Sequence, residues 1–235
     1  MKFKSLAGLA AAMSLALAGH AQAASKVINI GAIFPMSGGA ASAGIHAKYA
    51  LEVAEDIINN AHPELGALPL AKTAGLPNLG GAKVHLIFAD SQGSPAAGQN
   101  QALRLITQDK VVALTGAYQS GVTLTASAIA EKYGIPFVNG ESTASNLTER
   151  GFKWFFRTTP IASDFVKVYI GFLKHMKKAG AKIGSIAVVH DTTEYGTSVS
   201  GSIIKAFKAQ GLNVSLDVAY TANATDLESQ VLQLK

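Results

Sequence analysis

The feature that most constrains this chain is a sustained alternation of apolar, β-rich runs with helix-period segments from Val27 to its end. Strand-like runs are expected at 27–34, 84–89, 111–115, 135–138, 183–190 and 213–220, with a short extended piece at 154–157. Helices are expected between them. One runs over about 44–61, with Tyr49, Val53, Ile57 and Ile58 at helical spacing. Ser94-Pro95 caps a second one to about Gln108. Others are expected over 121–133 and 195–209, and one begins at Asp226. Ser163 or Asp164 is positioned to cap a helix that buries Phe165, Tyr169, Phe172, Leu173 and Met176. Gly134, Gly180 and Gly211 are read as helix stops. Alternation of this kind gives an α/β fold of parallel sheets with helices on both faces. The near-continuous apolar strands are those expected when both faces are covered.

Residues 62–81 are rich in Pro and Gly and read as a surface loop. The segment Phe155-Phe156-Arg157-Thr158-Thr159-Pro160 reads as a crossover between two series of strands. The expected organisation is therefore a first lobe over 24–157 and a second over 158–235. The second series holds two clear strands, too few for an independent sheet. It is expected to be an incomplete, truncated lobe of a longer protein.

The first 23 residues carry the three parts of a secretory signal. Lys2 and Lys4 form a basic start, residues 6–18 an apolar run, and Ala21-Gln22-Ala23 a small-x-small cleavage site. The apolar run is too short to span a bilayer. Cleavage is expected after Ala23, giving an exported, soluble protein. The chain has no Cys, so no lipid is attached through one and the core, not disulfides, holds the fold.

The formal net charge of +5 includes Lys2 and Lys4, which leave with the signal. The small cluster Lys174, Lys177 and Lys178 suits a helix carboxyl end, where cations oppose the dipole. Neither a basic run nor a nucleic-acid-binding motif accompanies it, so no nucleic-acid partner is expected.

Two strand-end loops carry most of the functional signal. The first, 116–121, feeds a helix of small and apolar residues; the second, 139–146, contains Ser142, Thr143 and Ser145. In open parallel sheets ligands bind outside the carboxyl ends of the strands. Hydroxyls, main-chain N–H groups and a helix start suit a small ligand with an anionic group. Ser120 has two readings, a helix cap or a ligand contact. Tyr195, after the strand ending at His190, is read as a polar-tipped aromatic clamp facing the first lobe. Asp90 is read first as a turn acceptor, because Ser91-Gln92-Gly93 follows it. His190 is read as a satisfied strand-end residue.

Signatures of phosphate loops, dinucleotide folds, zinc proteases and serine-hydrolase elbows are missing. The six His are dispersed, so no metal site is expected. No catalytic residues and no cofactor are assigned, and the chain is not expected to be an enzyme.

Four segments carry a family resemblance: 30–38 (IGAIFPMSG), 116–120, 139–157 with its Leu-Thr-x-Arg-Gly and Phe-Arg-Thr-Thr-Pro ending, and 188–191 with Tyr195-Gly196. In this order and spacing the chain resembles the solute-binding proteins of ABC transporters. The nearest group is the branched-chain amino acid-binding type, with the type I periplasmic binding protein fold. The resemblance implies transport of an amino acid or related small molecule, with the membrane permease subunits of an ABC importer as partners. It also implies ligand-binding roles for Ser120, Ser142 and Thr143 in the first lobe and Tyr195 in the second. Glu141 departs from the family pattern, which has a small residue there in many members. A sensory ligand-binding module of the same fold is the alternative, and a secreted hydrolase a weaker third. A transcriptional regulator with related lobes is disfavoured by the export signal and by the lack of a DNA-binding helix pair.

Overall fold

The computed structural model describes residues 26–235, so the expected signal segment and its cleavage site lie outside the described residues. The elements in order are β1 (Val27–Phe34), α1 (Ala41–Asn59), β2 (Lys83–Asp90), α2 (Pro95–Thr107), β3 (Ala113–Gly116), α3 (Ser120–Tyr133) and β4 (Phe137–Asn139). They continue with β5 (Phe155–Arg157), α4 (Ala162–Lys178), β6 (Ile186–Asp191), α5 (Glu194–Ala209), β7 (Val214–Tyr220) and α6 (Glu228–Gln233). Every strand expected from apolar runs is present, with ends shifted by up to three residues.

The strands form a five-stranded sheet in the order β2-β1-β3-β4-β5 and a two-stranded sheet of β6 and β7. The pairs β1–β3, β3–β4, β4–β5 and β6–β7 are parallel. The chain leaves β1 toward β2 on one side and returns to β3 on the other. The carboxyl ends of β1 and β3 therefore flank a topological switch point, where this class of sheet opens a crevice.

The described chain divides into two compact units, residues 26–27 with 57–84 and residues 28–56 with 85–235. The smaller one is the Pro/Gly-rich segment with its flanks. Three single turns of 3-10 helix each begin with Pro, at Pro63, Pro69 and Pro77. An antiparallel bridge, Leu76 to Ala82, closes the last of them. Asn59 pairs with the main chain of Val84, donating from Nδ2 at 2.7 Å and accepting at Oδ1 at 2.8 Å.

The larger unit holds both sheets. Its core gathers Ile33, Leu105, Leu114, Val122 and Phe137, all essentially inaccessible to solvent. Helices α2 and α3 touch at Gly98, where a Cβ would overlap a methyl of Val122. Ser94 caps α2 as expected, its Oγ accepting the Ala97 N–H at 3.4 Å, with Pro95 in the first turn. Gly134 and Gly211 adopt left-handed φ of 67° and 68° just past helix ends, the conformation that favours Gly there.

Two expected faces are corrected. Helix α1 buries Gly44, against the Pro35 carbonyl, whereas Tyr49 and Val53 are more than half exposed. Helix α4 buries Ala162 and Val166, while Tyr169, Phe172 and Met176 are exposed. Periodicity names an apolar face, but burial requires another layer over that face. Among the described residues no such layer covers these side chains. The cap of α4 is also shifted. Asp164 sits inside the first turn and its carboxylate accepts the Ile161 N–H at 3.1 Å.

Candidate functional site

A cavity of about 780 Å³ opens at the carboxyl ends of the strands in both sheets of the larger unit. The first sheet contributes Gln92 and Gly93 after β2, residues 118–122 after β3 and residues 141–143 after β4. The second contributes Asp191 and residues 193–195 after β6, and Tyr220, Ala222 and Asn223 at the end of β7. Ser120, Ser142, Thr143 and Tyr195, singled out in the sequence, all line this one cavity.

Their side chains differ in what they offer. Ser120 is the first residue of α3, not its cap; Gln119 holds the capping position. Ser120 is 2% exposed and its Oγ accepts the Ala144 N–H at 3.3 Å. The capping explanation of this serine is therefore removed. Its hydroxyl ties the start of α3 to the loop after β4. The opening N–H groups of a helix have no partner within it, and here they are presented beside Ser120.

Ser142 is committed to the protein. Its Oγ lies 2.6 Å from the Ala117 carbonyl, 3.1 Å from the Tyr118 carbonyl and 2.6 Å from Thr123 Oγ1. With one proton to donate, it already has a choice of acceptors. Thr143 is the opposite case. It is 8% exposed and its Oγ1 has no partner among the described residues, while its carbonyl accepts the Ala162 N–H at 2.8 Å. An unpaired buried hydroxyl is costly unless a ligand or water completes it.

Tyr195 is about half exposed. Burial raises the pKa of its phenol, helped by Tyr169, Asp191 and Tyr118, so it remains a neutral donor at physiological pH. The neighbouring Gly196 permits this placement, since a Cβ there would overlap the Asp191 carboxylate and carbonyl. Asp191 accepts the Thr193 N–H at 2.9 Å, and Thr193 Oγ1 accepts the Gly196 N–H at 3.1 Å. The Asp-x-Thr-x-Tyr-Gly segment is thus a closed turn that aims Tyr195 from the start of α5.

Asp90 is a turn acceptor, as its sequence context implied. Its carboxylate accepts N–H groups of Met36 and Gln92, each at 2.8 Å, and the Ser37 hydroxyl at 2.6 Å. Burial opposes its ionisation, but the hydrogen bonds from Ser37, Gln92 and Met36 outweigh it and hold the pKa below the ordinary carboxylate range. His190 is engaged through both ring nitrogens, with the Asp191 carbonyl at 2.7 Å and Asp217 at 3.2 Å. Among the described residues no group of three or more His, Cys, Asp or Glu is placed to hold a metal.

Several contributors were not singled out in the sequence. Gln119 lines the cavity with Oε1 unpaired, and Tyr118 and Tyr220 supply aromatic edges. Tyr220 ends the last strand, so the strand-end rule applied there would have found it. Arg157 Nη2 donates to the Ala144 carbonyl at 2.7 Å and holds the loop carrying Thr143. Arg150 lies 4.1 Å from the Phe152 ring centroid and donates to the Leu147 and Leu124 carbonyls at 3.1 and 3.0 Å. These two arginines account for the Arg in each of the two motifs of segment 139–157.

Parallel α/β sheets with one cavity shared by their strand ends define the type I periplasmic binding protein architecture. The family profile described as periplasmic binding protein matches residues 27–235, and the chain belongs to that family. It is 32% identical over 230 residues to a Leu/Ile/Val-binding protein homolog 7 of Brucella abortus, covering 94% of this chain and 52% of that one. The chain thus spans about half the length of such relatives. Among solved structures, a leucine binding protein, LivK, of Thermotoga maritima superposes with a TM-score of 0.73 at 24% identity, covering 88% of this chain and 53% of that one. A solute binding protein of R. palustris in complex with 4-hydroxybenzoate superposes with a TM-score of 0.71 at 22% identity, covering 89% and 51%.

Proposed function

We propose that this chain is part of an exported solute-binding protein of an ABC importer, which holds a small amino acid-like ligand between two lobes without altering it. The lobes are residues 24–157 and 158–235. The protein works in the periplasm after removal of residues 1–23, and its membrane partners are the permease subunits of the importer. The observation that carries the reading is the buried, unpaired Thr143 Oγ1 beside Ser120 and the start of α3, in a cavity at the strand ends.

Ser120 and Thr143 offer hydroxyls, and the opening turn of α3 offers N–H groups with a positive local potential. Together they suit a ligand carboxylate. Ser142 lines the same wall and braces it through its bonds to the Ala117 and Tyr118 carbonyls. Tyr195 approaches from the other sheet and closes over the ligand, as hinge closure in this architecture requires. The relatives support an amino acid as the class of ligand, since the Brucella protein is called a Leu/Ile/Val-binding homologue.

Thermal-shift screening of the full-length protein against amino acids, small carboxylates and amides tests the reading. A ligand with a Kd on the order of micromolar, at a hundredfold excess over that Kd, raises stability by about 2.7 kcal/mol. Product formation in the same mixtures would contradict a binding role.

A further inference from the structure

Among the described residues, the charged side chains lining the cavity are all acidic: Glu141, Asp191 and Glu194, with no Lys, Arg or His beside them. Two of the three are already used. Asp191 Oδ1 accepts the N–H of Thr193 at 2.9 Å, and Glu194 Oε1 accepts from Asn146 Nδ2 at 2.6 Å. Glu141 makes no hydrogen bond or ion pair with another described residue. It stands at the cavity edge immediately before Ser142 and Thr143, and Thr143 carries the buried, unpaired Oγ1.

We propose that Glu141 selects ligands bearing a cationic group, an ammonium or a guanidinium, and discriminates against ligands of net negative charge. The inference rests on the reading of this cavity as an amino acid-like site and adds the charge class that the site accepts. Its physical basis is a balance of charges. The Ser120 and Thr143 wall offers neutral donors only, so an anionic ligand brings a negative charge near three carboxylates, and among the described residues no cation lines the cavity to offset them. A ligand that also carries a cation offsets its own carboxylate and supplies Glu141 with the partner it lacks. Glu141 is exposed to solvent at the cavity edge, and the part of it that is covered raises its pKa, as expected for a carboxylate with no counter-ion beside it.

The fold itself does not fix this choice, since one solved relative in shape is a leucine binding protein and another holds 4-hydroxybenzoate. Charge selection must therefore come from side chains, and among the described residues Glu141 is the lining carboxylate not already engaged by another side chain or main-chain group.

The test is calorimetric titration of the full-length protein and its Glu141→Gln and Glu141→Asp variants with three probes: L-arginine, L-leucine and 4-hydroxybenzoate. The wild type should bind L-arginine or L-leucine more tightly than 4-hydroxybenzoate. Glu141→Gln should weaken the preferred cationic probe about tenfold, the lower range for a hydrogen bond to a charged group, and should narrow or reverse the preference over benzoate. Glu141→Asp should keep part of it. If L-arginine loses most, the partner is a side-chain cation; if L-leucine loses as much, it is the α-ammonium. Melting temperatures of the three proteins check that folding is retained. Binding whose ratios are unchanged in Glu141→Gln, or a wild type that prefers 4-hydroxybenzoate, overturns the inference while leaving the binding role intact. No binding of any probe to the folded wild type overturns both.

Discussion

Asn146 Nδ2 donates a 2.6 Å hydrogen bond to Glu194 Oε1, which joins the turn after β4 to the first turn of α5. Beside it, the Ser145 N–H donates to Ser198 Oγ at 3.1 Å. The residues that present Thr143 and those that present Tyr195 are therefore linked directly at the edge of the cavity.

This link should be measurable as a coupling energy. Asn146→Ala and Glu194→Ala should each destabilise the protein, and the double variant should lose less than the sum of the two. The shared hydrogen bond corresponds to a coupling of about 1 kcal/mol, since it is charge-assisted but partly exposed to water. Denaturant unfolding of the four proteins checks this, and strict additivity would show that the contact is incidental.

Asp90 should set an acid limit on stability. Its folded-state pKa is lowered, with burial opposing and the hydrogen bonds from Ser37, Gln92 and Met36 prevailing. A group whose folded pKa lies below its unfolded one contributes stability above the unfolded value, about 3.9 for an aspartate. That contribution is lost as pH falls through the folded pKa. Asp90→Asn should therefore be less stable than the wild type at neutral pH, with the gap closing as pH drops below about 4. Melting curves between neutral and strongly acidic pH decide it, and a gap independent of pH would contradict the assignment.

Much of this fold is legible from the residues because both of its signals are local. Apolar runs marked β1 and β6, and Ser94-Pro95 marked the start of α2, without knowledge of what packs above them. The faces of α1 and α4 were not legible. Tyr49 and Phe172 sit at helical spacing, yet their burial depends on neighbours distant in sequence. The site shows the same division. Strand-end position was enough to bring Ser120, Thr143 and Tyr195 to one cavity, whereas the inward turn of the Ser142 hydroxyl depends on carbonyls of Ala117 and Tyr118, about 25 residues earlier. The pairing of Asn146 with Glu194 carried no sequence signal, because it spans 48 residues and two different sheets.

Ser142 and its neighbour should respond differently to truncation. Ser142→Ala removes a buried hydrogen-bonded hydroxyl and should lower stability by about 1 kcal/mol, with little change in ligand affinity. Thr143→Ala removes an unpaired hydroxyl, so its stability should hold while affinity falls. Paired melting and titration measurements separate the two. Equal effects of both variants on affinity would return Ser142 to direct ligand contact.

Calorimetric titration of the full-length protein and its Ser120→Ala variant with L-leucine and L-arginine, with analysis of the recovered ligand, decides whether this cavity holds an amino acid without altering it. At least one amino acid should bind and be recovered unchanged. Ser120→Ala should weaken that binding about ten- to a hundredfold, as expected for a hydrogen bond to a charged group. Conversion of the ligand to a product, or undiminished affinity in Ser120→Ala, would contradict that role.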